Sequence, residues 1–186
     1  MTAPTRSERY LESLRVEFPR LRVVKKADDR LSIWIDRLLR IATFGGQRAY
    51  MTRYTTVIAH TIYVPSSWDT RSDDERYITL RHEAVHLRQS RRMGFVVMAL
   101  YYGVVFLPVG LAYGRARIEW EAYEDTLRAN AEVYGLAHAR SAPLREHIVR
   151  QFTSAAYLWM WPFPGQVNGW IDEALSRIEA EHAARS

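Results

Sequence analysis

Cysteine is missing from all 186 residues, which excludes a disulfide scaffold, a cysteine zinc ribbon and a thiol nucleophile. Glycine and proline are sparse, at nine and seven, so neither a collagen-like repeat nor a flexible linker is present. Lysine is nearly absent. Lys25 and Lys26 are the only two, and arginine supplies the rest of a net charge of +5. Apart from Arg88, Arg91 and Arg92, those arginines are interspersed with acids rather than gathered into a run. No nucleic-acid partner is expected from that pattern. The first twenty residues carry charges every few positions and lack the apolar core of a signal peptide, which predicts a cytoplasmic chain.

What is present is 48% apolar and 25% charged residues, the balance of one globular domain over 1–186 with a sizeable core. Thr5 followed by Glu8 reads as a capping box, and Tyr10, Leu11, Leu14 and Phe18 recur at helical spacing until Pro19. A strand is predicted at 21–25 and a helix at 28–41, closed by Gly45-Gly46. Two strands are expected at 49–55 and 59–64, where Tyr, Thr, Val and Ile concentrate. A helix over about 74–92, capped by Ser72 or Asp73, follows. Further helices are expected over 115–134, 144–152 and from 166 onward. All the strands precede residue 65, so the class is α+β with segregated elements.

The helix over 74–92 contains Arg81-His82-Glu83-Ala84-Val85-His86, the His-Glu-x-x-His pattern. Imidazoles four residues apart lie one above the other on a helix face and can reach one metal ion at about 2 Å. The carboxylate of Glu83 projects beside them, where it can take a proton from an attacking water. A catalytic zinc site usually has three protein ligands, so a third donor is needed. Three glutamates follow in one helix: Glu119, Glu121 and Glu124. Glu119 lies beside the arc of Ile118, Ala122, Tyr123, Thr126, Ala129 and Val133, whereas Glu121 and Glu124 share a charged arc with Asp125, Arg128 and Glu132. A carboxylate on an apolar stripe needs a partner, which favours Glu119 as the ligand. Glu121 stays open as the alternative.

These residues carry a resemblance. His82-Glu83-x-x-His86 followed by Glu119-Trp120-Glu121-Ala122-Tyr123 resembles the gluzincin branch of zinc metallopeptidases, and the second segment is similar to the Glu-x-x-Ala-Asp signature of the HtpX and CAAX-prenyl endopeptidase group. Tyr123 stands where that signature has Asp. The resemblance spans roughly residues 45 to 135, and the length suits a small, minigluzincin-like member. It implies a zincin-like fold with a small N-terminal sheet, an active-site helix and a helical C-terminal half. It further implies Zn2+ held by His82, His86 and Glu119, with Glu83 as general base and a peptide or protein as substrate. The competing reading is a non-catalytic metal-binding or membrane-associated interaction domain.

Residues 94–113 contain no charge and are long enough to suggest a membrane span. A single span would put His82 and Glu119 on opposite sides of about 30 Å of hydrocarbon, so a shared ion excludes it. An apolar hairpin broken near Pro108 or Gly110 is expected instead, packed on the domain, with peripheral membrane contact through 94–113 as the alternative. The aromatic stretch Tyr157 to Trp161 and the lone His60, His138 and His147 read first as core or surface residues. Gln89, one turn after His86, fits either a hydrogen bond to the site or solvent.

Overall fold

A computed structural model describes residues 3–29, 52, 54–94, 97–98, 111–154 and 160–184. All but the first two residues of the helix expected over 28–41 and most of the apolar stretch 94–113 lie outside the described residues, as do Tyr157 and Trp159. In chain order the elements are α1 (Arg6–Glu17), β1 (Arg22–Lys25), β2 (Thr56–Ile58), β3 (Thr61–Val64), α2 (Asp73–Met93), α3 (Leu111–Tyr134), α4 (Leu136–Ala139), α5 (Ala142–Thr153) and α6 (Pro164–Ala183). The class is α+β, as the segregated patterns predicted. Residues 1–88 and 89–186 form two compact units whose boundary falls within α2.

In the first unit, α1 begins where its sequence says it should. The Thr5 hydroxyl accepts the Glu8 N–H while the Glu8 carboxylate accepts the Thr5 N–H at 2.8 Å, completing the capping box. β1 pairs parallel to β3 with Arg22 opposite Thr61, and β2 pairs antiparallel to β3 with Val57 opposite Ile62, giving the order β1-β3-β2. Residues 61–64 of the strand expected at 59–64 are a strand, while most of the one expected at 49–55 lies outside the described residues. Among the described residues, 54 and 55 are irregular, pairing begins at Thr56, and Ala59 and His60 form a two-residue turn. Ala59 takes φ 53 there, a left-handed conformation that turns usually give to Gly, Asn or Asp. Without one of those residues the turn left no mark in the sequence.

Ile62 and Val64, two apart on β3, both point into a core with Leu14, Phe18, Leu21, Leu80, Ala84 and Leu87. The α2 members recur at spacings of four and three, so they form one stripe of the helix. Leu80 and Leu87 are 1% and 2% exposed, and burial contributes about 2 kcal/mol for each. Ser72 caps α2: its hydroxyl accepts the Glu75 N–H at 3.2 Å, and Glu75 Oε2 accepts the Ser72 N–H at 2.8 Å. Asp73, at the first helical position, reaches back to α1 and accepts the backbone N–H groups of Arg6 and Ser7 at 3.0 and 3.2 Å. Those donors belong to the unsatisfied first turn of α1. At its other end α2 stops on Gly94, whose φ of 83 and N–H to the Ser90 carbonyl form a left-handed cap.

The second unit is helical. Ala116, Trp120, Leu127 and Ala131 of α3 pack with Ile148 and Phe152 of α5 and with Val167, Ile171, Ala174, Leu175 and Ile178 of α6. Rings fill the middle, Trp120 lying 5.5 Å from Trp170 and Tyr123 lying 5.5 Å from Phe152. On the rim, Arg177 and Arg128 both donate to Glu124, and Arg128 also reaches Glu181. Among the described residues no helix is long and apolar enough to cross a membrane.

Candidate metal centre

His82, Glu83 and His86 lie near the middle of α2, the two imidazoles on the flank away from the Leu80–Ala84–Leu87 stripe that anchors this helix. Four residues of helix bring the two imidazoles together, with Nε2 of His82 and Nε2 of His86 3.3 Å apart. Their rings meet edge to face, with centroids 5.0 Å apart. Two nitrogens bound tetrahedrally to a zinc ion at about 2.05 Å stand about 3.3 Å from each other, so the pair already has the spacing that such an ion requires. Glu119 on α3 is half-buried. One ligand atom from each of His82, His86 and Glu119 lies within 4.8 Å of the other two. Two imidazoles and one carboxylate match the donor set of a catalytic zinc site that keeps an open position. Other divalent metals share those donors, because imidazole and carboxylate do not select zinc alone.

Glu83 is only 5% exposed and His86 only 6%. A carboxylate buried at that level is kept for a purpose or a partner, since an uncompensated buried charge is costly. One charge nearby is Arg71, just before α2. Burial pushes the Arg71 guanidinium below its ordinary range, and the carboxylates of Glu75 and Glu83 draw it back up. Arg71 donates to the Thr79 hydroxyl at 3.2 Å, one turn before Glu83, and its guanidinium lies over the Trp68 ring at 5.8 Å. No sequence motif marks Arg71, and only the fold brings it to this face of α2.

Glu121, the alternative third ligand, is engaged elsewhere. It accepts from Gln89 Nε2 at 2.9 Å and lies 3.4 Å from Arg92 Nη2. Gln89 itself is 2% exposed, which sets the solvent reading aside, and its two hydrogen bonds go to α3 at Ile118 and Glu121. Among the described residues the cluster includes none of the three lone histidines singled out in the sequence. His60 is exposed in the hairpin turn, His138 packs on Tyr134 at 4.7 Å, and His147 is exposed beside Gln151. Of the aromatic stretch, Met160 is buried in the second unit's core, and Trp161 donates its indole N–H to Gln166 Oε1 at 2.7 Å.

No family model, curated protein or solved structure matches the chain.

Proposed function

We propose that the protein is a zinc-dependent hydrolase, a small metallopeptidase of the gluzincin type on a zincin-like fold. His82, His86 and Glu119 are its metal ligands and Glu83 its general base. One observation carries the reading: three ligand atoms from two helices within 4.8 Å of one another, with a buried carboxylate next in sequence to one of them. When bound, zinc would polarise a substrate carbonyl and bring a water's pKa toward neutrality.

The protein's own groups do the rest. His82 and His86 present Nε2 lone pairs, which requires both rings to be neutral. Glu83 accepts the proton of the water that attacks the peptide carbonyl and then donates it to the departing amine nitrogen. Its burial keeps bulk water from competing for the carboxylate oxygens. Arg71 supplies positive charge beside this carboxylate.

The test is metal analysis joined to turnover. One zinc per chain, with cleavage of a broad peptide library that a chelator abolishes and added zinc restores, is the expected result. Zinc uptake without cleavage of any library member would favour a metal-holding scaffold, and a chain that takes up no divalent metal would overturn the reading.

A further inference from the structure

The paired imidazoles both stand on α2, but the carboxylate depends on how α3 is rotated about its axis. Successive helical residues are about 100° apart, so Glu119 and Glu121 face directions about 160° apart and cannot both point at the same ion. Something must set that rotation. Gln89, on α2 three residues beyond His86, is buried and donates both of its amide hydrogens to α3. One goes to the Ile118 carbonyl at 2.9 Å and the other to Glu121 Oε2 at 2.9 Å. These acceptors lie on either side of Glu119 in sequence, so two fixed points bracket the ligand. Both partners are pure acceptors, so of the two ends of the Gln89 amide only the NH2 can serve them.

We propose that Gln89 is a positioning residue that sets the rotation of α3, holding Glu121 away and leaving Glu119 as the carboxylate that completes the metal site. The inference rests on the metal-centre reading and adds to it the means by which one of two nearby carboxylates is chosen. Arg92, at 3.4 Å from Glu121 Oε2, assists from the exposed side.

Zinc affinity, read by competition with a chromophoric chelator, and the visible spectrum of the Co2+-loaded protein test it together. Gln89→Glu keeps the shape but faces a carboxylate with two acceptors. It should weaken zinc binding about 10–100-fold and move the cobalt spectrum toward that of Glu119→Gln. Gln89→Met, which keeps the length without the charge, should weaken zinc in the same direction even if Gln89→Glu folds poorly. In Gln89→Glu/Glu121→Gln the donor and acceptor exchange places, and part of the lost affinity should return. Melting of each metal-free variant separates loss of fold from loss of positioning. Wild-type affinity and spectrum in Gln89→Met would overturn the inference while the metal centre stands. Equal zinc loss in Glu121→Gln and Glu119→Gln would do the same. A wild-type protein that binds neither metal would instead remove the metal centre, and this inference with it.

Discussion

The Nε2 atoms of His82 and His86 stand 3.3 Å apart on one face of a helix whose opposite flank is anchored by Leu80, Ala84 and Leu87. Because the backbone between them is regular helix, neither imidazole needs the other to be in place. Each single change should therefore remove a ligand without moving its neighbour. His82→Ala and His86→Ala are both expected to lower zinc affinity by at least about 100-fold while leaving the helical circular-dichroism signal unchanged. Equilibrium dialysis against zinc measures the first quantity.

Glu83→Gln separates binding from chemistry. The amide has nearly the shape of the carboxylate but cannot take a proton from water. Zinc content should stay near one per chain while peptide cleavage falls by about 10²–10⁴-fold. Retained activity in this variant would rule out Glu83 as the base.

Asp73 ties stability to acid pH. Burial pushes its carboxyl up, but hydrogen bonds from the Ser7 and Thr5 hydroxyls and from the Ser7 and Arg6 backbone N–H groups outweigh it and hold the group at about 2. A folded pKa below the usual 3.8 means stabilisation that is fully present above about pH 4 and lost as the pH falls through about 2. Asp73→Asn should cost about 1 kcal/mol at neutral pH, allowing for solvent screening of this partly exposed group. The two proteins should converge in urea titrations below about pH 2. A constant difference across that range would show that the charge contributes nothing.

At the hairpin turn, Ala59 at φ 53 occupies a conformation that penalises any side chain with a Cβ. Ala59→Gly relieves that strain and adds disorder to the unfolded chain, two effects of opposite sign. The strain is the larger, so a gain of about 0.5 kcal/mol is expected, visible as a rise in melting temperature.

How much could be read in advance followed the range of each signal. The cap of α1 is written within four residues, Thr5 with Glu8, and was legible; for α2 the sequence left Ser72 and Asp73 open, and the Glu75 partner decides for Ser72. The His-Glu-x-x-His spacing is local as well, so the imidazole pair was legible from helix geometry alone. The second strand of the hairpin was legible, but its start was set two residues early because Ala59-His60 carries no turn residue. For α3 the apolar arc was drawn through Ile118, Ala122 and Ala129, all of which are buried. Of that arc Tyr123 packs on the second unit's core, whose buried α3 members are Ala116, Trp120, Leu127 and Ala131. A helix buried on more than one side has no single stripe, and the sequence alone does not say which flank meets which neighbour. Gln89 shows the same limit, since its two acceptors are about thirty residues away in the chain.

The small sheet mixes two kinds of pairing, and this sets an order of assembly. β2 and β3 are joined across two residues, so their ladder closes as fast as any hairpin, within about 1–10 μs. β1 reaches β3 only after about 35 intervening residues have been gathered into a loop, an entropic cost met before any parallel bond forms. The hairpin therefore serves as the template on which β1 docks. Weakening β1, at Val23 for example, should mainly speed unfolding, while weakening the hairpin should slow refolding.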